Sequence, residues 1–338
     1  MPSIGYEPKV LLSFRMIDFA ADQSRSDLEV RRESTGFDLP EPGASLDLTM
    51  DDGASIRVVR HGNPAGPRVV LSHGNGFASD SYFPFWRLML ERFDLTLFDF
   101  RNCGRNPFHA SESHNYSRFV RDYAEVHGAI SAEWGTRITI GVFHSMSAIT
   151  ALLATRDGTW HWDALLLFDP PVVPPEGSQL RGSFMTAAEI LRDSARARQN
   201  RYRNPEELAD VFRYLNRFRR LRKGVAELNA RSILRFDPER GDWQLCCPGQ
   251  IEANLYTEAA ELPIWRKPGP HARPLMIVGS DPEPEDAWKT AACCKLFCET
   301  FGIDYAVMPD TSHLLQLEEP ERCFALFSGF LADNGIGA

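Results

Sequence analysis

Gly141-Val142-Phe143-His144-Ser145-Met146-Ser147 is the stretch on which the reading of this chain turns. An apolar run, Arg137-Ile138-Thr139-Ile140, precedes it, and a helical pattern with Ile149, Leu152 and Leu153 on one face follows. A strand, an abrupt turn and a helix would lift Ser145 to the top of a parallel sheet, with its hydroxyl beside a helix N-terminus. Free backbone N–H groups and the positive helix end favour a developing negative charge there. A nucleophile elbow has this layout. A strand ending in an ordinary Ser-Met-Ser helix cap has it too, and Phe143 and Ser147 stand where the G-x-S-x-G pattern has glycines. The choice between the two rests on the rest of the chain.

Working outward, short buried runs flank the elbow on both sides. Arg68-Val69-Val70-Leu71-Ser72 and Leu95-Thr96-Leu97-Phe98 lie upstream; Leu165-Leu166-Leu167-Phe168, Pro274-Leu275-Met276-Ile277-Val278 and Tyr305-Ala306-Val307-Met308 lie downstream. Helical spacing separates them: Phe85, Leu88 and Met89, then residues 117–134, then Phe324, Phe327 and Leu331. That alternation predicts an α/β fold, a mostly parallel twisted sheet with helices on both faces. Leu46, Leu48 and Met50, a turn at Asp51-Asp52-Gly53, then Ile56 and Val58 predict an antiparallel hairpin at the sheet edge.

The alternation breaks between Pro174 and about Pro270, where the chain is helical and rich in arginine. One helix there has Asn204 as N-cap, Pro205 at its first position and Glu207 to complete a capping box. Leu208, Val211, Phe212, Leu215 and Phe218 would share its apolar face. A hairpin turning at Asp237-Pro238-Glu239-Arg240-Gly241 follows. The expected organisation is an N-terminal extension at 1–44, a core at 45–173 and 271–338, and a helical cap at 174–270 inserted after the sixth strand.

Composition narrows the function classes. With 338 residues, 43% hydrophobic and 25% charged, the chain can bury a large core. A net charge of −9 argues against a nucleic-acid partner. No apolar run is long enough to span a membrane, and no signal peptide is evident. The seven cysteines include the adjacent pairs Cys246-Cys247 and Cys293-Cys294, which suits reduced thiols in a cytoplasmic protein. Cys and His near one another in sequence form no zinc pattern, so no metal is expected; Cys293, Cys294 and Cys298 read as one side of a packed helix.

Four landmarks in order resemble the α/β-hydrolase fold. His73-Gly74-Asn75-Gly76-Phe77 looks like its H-G-x-G loop. Asp99-Phe100-Arg101-Asn102-Cys103-Gly104-Arg105 resembles D-x-R-G-x-G-x-S, with Asn102 for a glycine and Asn106 for the serine. His144-Ser145-Met146 matches the H-S-M of the elbow, and Gly279-Ser280-Asp281 and Ser312-His313 resemble the acid and histidine loops. The order Ser, Asp, His is the one this fold uses. The chain beyond residue 45 is thus similar to the serine-nucleophile, lipase- and esterase-like branch of that superfamily, with its helical cap. A serine at position 145 speaks against dehalogenase and epoxide-hydrolase relatives, which use an aspartate.

The resemblance implies a Ser145 nucleophile, a His313 base and an acid that orients the imidazole. Asp281 is the first choice of acid. Asp169 is the alternative, because some members place their acid at the end of the preceding strand; an Asp before Pro170 also serves simply to cap a turn. Glu283, Glu285 and Asp286 read as solvated loop charges. The oxyanion hole would use the N–H groups of Met146 and Asn75, with Gly74 and Gly76 letting the backbone come close. His73 and His144 read as structural hydrogen-bonders. Phe143 and Ser147 would need room from their neighbours and would narrow the acyl pocket.

The expected function is hydrolysis of an ester, thioester or related acyl bond of a small apolar molecule, carboxylesterase- or lipase-like, without a cofactor. A ligand-binding protein on a hydrolase scaffold and a cofactor-free perhydrolase or carbon–carbon hydrolase are the alternatives. Phe184, Phe212, Tyr214, Phe218, Trp243, Tyr256 and Trp265 make the cap aromatic and suggest an apolar acyl group. Its arginines, Arg217 and Arg220 among them, raise anionic substrates as a question.

Overall fold

The computed structural model describes residues 37–156, 161–266, 273–283 and 289–336. Most of the expected N-terminal extension, the cap's end near 270, and Glu285 and Asp286 lie outside the described residues. Eleven strands are described: β1 (Ala44–Thr49), β2 (Ser55–Gly62), β3 (Arg68–Leu71), β4 (Asp94–Phe98), β5 (Thr139–His144), β6 (Ala164–Phe168), β7 (Arg201–Tyr202), β8 (Leu234–Asp237), β9 (Asp242–Leu245), β10 (Leu275–Gly279) and β11 (Asp304–Val307). The helices are α1 (Phe83–Trp86), α2 (Tyr116–Trp134), α3 (Met146–Arg156), α4 (Gln179–Ala197), α5 (Pro205–Tyr214), α6 (Val225–Ile233), α7 (Gly249–Glu261), α8 (Lys289–Phe301), α9 (Leu315–Glu318) and α10 (Pro320–Asp333).

The main sheet has the order β1-β2-β4-β3-β5-β6-β10-β11. The hairpin forms as expected, Leu46 facing Val58 and Leu48 facing Ile56, and β2 runs antiparallel to β4. All other pairs are parallel. Successive side chains of a strand point to opposite faces, so an unbroken apolar run needs cover on both. Val70 accordingly packs into one apolar cluster with Phe119, Tyr123 and Ile149, while Val69 and Leu71 pack into another with Trp86 and Phe327. Burial on both faces is why β3 to β6 read as continuous apolar stretches.

Between β6 and β10 the chain leaves the sheet. α4 to α7 and a small antiparallel sheet, ordered β7-β9-β8, make up this excursion. The expected hairpin is β8–β9, with Asp237 paired to Asp242. The expected single helix stops earlier than its apolar pattern. Asn204 accepts the Glu207 N–H at 3.0 Å, but Glu207 reaches the Arg203 N–H at 2.8 Å rather than that of Asn204. α5 ends at Tyr214 because Leu215 turns extended, and a short 3-10 turn carries Phe218 back onto Phe212 at 5.1 Å. Tertiary packing of two aromatic rings here outweighs helix continuation.

Among the described residues no helix is long and apolar enough to cross a membrane. All seven cysteines are free and buried, and Cys293, Cys294 and Cys298 lie on the packed side of α8.

Candidate active site

Ser145 occupies the turn between β5 and α3 at φ +53°, a left-handed conformation that costs a non-glycine residue about 1–3 kcal/mol. Hydrogen bonds hold it there: its N–H donates to the Phe168 carbonyl at 3.0 Å, and its own carbonyl accepts from Ile149 at 3.0 Å. The two residues that replace elbow glycines are accommodated separately. The Ser147 hydroxyl accepts the His144 N–H at 2.9 Å and donates to the His144 carbonyl at 2.8 Å, closing the turn. Phe143 finds its room over Gly141, where an added Cβ would lie 2.5 Å from the Phe143 ring. That ring packs on Tyr123 and Trp162, at 4.9 and 5.2 Å between centroids, and is not part of the cavity wall. The expected narrowing of the pocket by Phe143 is therefore not found.

The role of the Ser147 hydroxyl can be measured. Ser147→Ala leaves the buried His144 N–H without its acceptor and should lower unfolding free energy by about 1–3 kcal/mol. An unchanged denaturation midpoint would show that water replaces the hydroxyl at no cost.

His313 Nε2 lies 3.0 Å from Ser145 Oγ. Its Nδ1 lies 2.7 Å from Asp169 Oδ2, and that carboxylate is fully buried. The acid beside His313 is thus the alternative named above, and Asp281 is elsewhere. Asp169 follows β6, the neighbour of β5, and a φ of +43° turns its backbone at the strand end. Ser280, between Asp281 and the end of β10, donates its N–H to Asp169 Oδ1 at 3.3 Å and its hydroxyl to Oδ2 at 3.1 Å. Asp281 instead accepts the N–H groups of Glu283 (2.9 Å) and Asp310 (2.8 Å). Those bonds hold its carboxyl below the usual range, and they staple the loop before His313 from outside. Glu283 is exposed, as expected.

His144 is buried and connects two loops. Its Nε2 meets the His313 carbonyl at 2.7 Å and its Nδ1 meets the Tyr82 hydroxyl at 2.6 Å. A carbonyl can only accept, so Nε2 carries the proton and Nδ1 accepts from Tyr82. Tyr82 oxygen in turn accepts the Gly74 N–H at 3.1 Å. Burial, then the neighbouring His313, keeps His144 well below an ordinary histidine pKa. Tyr82 is the residue missed in the sequence; nothing in the spacing singles it out.

Gly74 packs closely where it stands: a Cβ there would lie 3.0 Å from His144 Nδ1 and 3.1 Å from Ser145 Cβ, so these neighbours would have to yield. His73 Nδ1 donates to the Gly74 carbonyl at 2.9 Å, and Nε2 accepts the Phe100 N–H at 3.1 Å, a structural arrangement. Gly76 (φ +77°) comes close to Glu252, and Asn75 Nδ2 donates to the Glu252 carbonyl at 3.0 Å. Asn75 and Met146 both line the cavity beside Ser145. The Met146 N–H heads α3, where helix donors lack intrahelical acceptors.

The second motif proves to be scaffolding. Asn102 takes its glycine-like φ of +65°, which Asn tolerates better than most residues. Asn106 donates to the Asp99 and Phe100 carbonyls and accepts the Arg57 N–H.

Ser145 and His313 open into a cavity of about 700 Å³. The core contributes the Gly74–Phe77 loop, His144, Ser145, Met146 and Leu314; residues 184–218 and α7 contribute most of the remaining wall. Of the cap aromatics, Phe184, Phe212, Phe218 and Tyr256 line it. Tyr214 is 88% exposed, Trp243 packs on Phe236 and Trp265 on Phe297, so these three fall outside the expected pocket.

Away from this site, folding gathers Cys103, His114 and Cys247, with one ligand atom of each within 4.8 Å of the others. Their wide sequence separation hid them from the spacing argument. Cys247 Sγ lies 3.8 Å from His114 Nε2, and Asn102 Nδ2 faces His114 Nδ1 at 3.5 Å. A donor facing Nδ1 leaves the proton on Nε2, pointing at Cys247. Hydrogen bonding from Cys103 and then His114 holds the Cys247 thiol well below its usual pKa. Among the described residues these three form a group whose ligand atoms are close enough to hold a thiophilic metal.

Comparison with known proteins gives the family to which this fold belongs. A model of the alpha/beta hydrolase family matches residues 69–326, and the chain belongs to that family. Among curated proteins none matches. Solved structures share the fold at low identity. E-2-(acetamidomethylene)succinate hydrolase is 15% identical with a TM-score of 0.69, covering 86% of this chain and 99% of its own. The thioesterase domain from the curacin biosynthetic pathway is 16% identical with a TM-score of 0.64, covering 85% and 99%. An esterase from Thermogutta terrifontis is 16% identical with a TM-score of 0.61, covering 86% and 99%.

Proposed function

We propose that this chain is a serine hydrolase that cleaves an ester, thioester or related acyl bond through an acyl-enzyme. The observation that carries this reading is His313, held between Ser145 Oγ at 3.0 Å and the buried Asp169 carboxylate at 2.7 Å. Asp169 keeps the proton on Nδ1, so Nε2 is free to take the proton of Ser145 as Oγ attacks the carbonyl carbon. The N–H groups of Met146 and Asn75 receive the oxyanion charge. His313 then passes its proton to the departing alcohol or thiol, and water releases the acid by the same steps. The mostly apolar wall favours an apolar acyl portion. Similarity to a thioesterase domain and an esterase is in keeping with either leaving group.

A fluorophosphonate probe should label wild-type protein at Ser145, with burst release of p-nitrophenol from a short-chain p-nitrophenyl ester. Absence of both labelling and turnover would favour a protein that only holds a ligand in this cavity.

A further inference from the structure

The wall of the cavity is apolar over Phe184, Leu191, Phe212 and Phe218, and the guanidinium groups of Arg198 and Arg217 and the ammonium of Lys289 interrupt it. Arg198 has a counter-ion, Glu252 of α7. Arg217 has none: among the described residues no carboxylate forms an ion pair with it. Its Nη1 approaches only the Ser194 hydroxyl, at 3.2 Å, and its guanidinium lies 5.0 Å from the Phe218 ring. Burial weighs most heavily against its charged form, and the like charge of Arg198 adds to this, against a partial offset from Tyr256. A guanidinium stays protonated in proteins, so the cavity retains a positive charge that the protein itself leaves uncompensated. Arg217 is half-buried, and a charge set in an apolar wall gains from a partner.

We propose that Arg217 is the counter-ion of a carboxylate carried by the substrate, so that the enzyme acts on acyl compounds whose acyl portion bears a free carboxylate. The proposal rests on the serine-hydrolase reading above. The surroundings favour this anion. Ser194 and Tyr256 line the cavity with hydroxyls, Ser194 at 3.2 Å from the guanidinium, and Asn75 of the loop beside Ser145 lines it too, its amide donating to the Glu252 carbonyl. A carboxylate offers the guanidinium two acceptor oxygens that match its fork of N–H donors. Arg220, the arginine that stands beside Arg217 in the sequence argument, points elsewhere. It donates to the Asp310 carbonyl at 2.7 Å and is not part of the cavity wall.

The test compares p-nitrophenyl hemiesters of linear dicarboxylic acids, from succinate to suberate, with neutral p-nitrophenyl esters of matched length. For at least one length, wild-type kcat/KM should favour the hemiester by about tenfold or more, the scale of one hydrogen-bonded charge pair. In Arg217→Gln that ratio should fall at least tenfold, whatever happens to the absolute rates. Because the guanidinium is half-buried in the cavity wall, where pairs are screened much less than on the surface, the wild-type preference should persist at about 1 M salt. Preference for neutral esters at every length, a ratio unchanged by Arg217→Gln, or a preference abolished by salt would each overturn the proposal. Hydrolysis of the neutral esters with labelling of Ser145 would leave the serine-hydrolase reading standing in all three cases, and wild-type comparisons alone decide the matter if the variant fails to fold.

Discussion

Asp169→Asn is expected to lower kcat by about 10⁴-fold, the size of the effect when the orienting aspartate of a serine protease is changed to asparagine. The hydrogen bonds around the carboxylate show why. Oδ1 accepts the Ser280 N–H, a group that can only donate, so an asparagine would keep its carbonyl oxygen there. Its NH₂ would then face His313 Nδ1 in place of Oδ2. A donor at that point forces the imidazole proton onto Nε2, and Nε2 can no longer receive the proton of Ser145. Asp281→Asn should cost far less, because that carboxylate accepts two loop N–H groups and does not touch the imidazole. Single-turnover rates on one neutral ester would rank the two variants. The opposite ranking would return the orienting role to Asp281.

Ser145→Ala should remove turnover almost entirely, a loss on the order of 10⁵–10⁶ in kcat, with the folded state retained. The hydroxyl projects into the cavity, and the bonds that hold the turn use the backbone of residue 145 rather than its side chain. His313→Ala should lose activity to a similar extent, and the double variant should be no worse than the singles, because groups acting as one unit do not add. Retention of more than a few per cent of wild-type kcat by Ser145→Ala would end the nucleophile assignment.

Much of this arrangement is legible in the residues. Buried strands announce themselves as unbroken apolar runs, and the elbow, the H-G-x-G loop and the last histidine follow in one order along the chain. The acid is harder to read, because two aspartates end two strands of the same sheet. A residue before proline rarely takes a φ of +43°, so the bend that directs Asp169 towards His313 leaves no trace in composition or spacing. The elbow residues mislead in a different way. A pattern requires glycine at positions 143 and 147, but the fold needs only space and satisfied backbone groups; Gly141 supplies the space and the Ser147 hydroxyl satisfies the backbone. The truncation of α5 at Leu215 and the meeting of Cys103 with Cys247 depend on long-range packing that no local window contains.

The chain of contacts from Gly74 through Tyr82 and His144 to the His313 carbonyl is a wire closed at both ends. An amide at one terminus never accepts a proton and a carbonyl at the other never surrenders one, so no charge travels along it. It works as a strut. Its two anchor points are the loop whose glycine nearly touches Ser145 and the backbone of His313, so it fixes the spacing between them. Two imidazoles face each other 4.8 Å apart at this site, and with His144 held neutral, His313 alone is left to take the proton that the proposed mechanism moves.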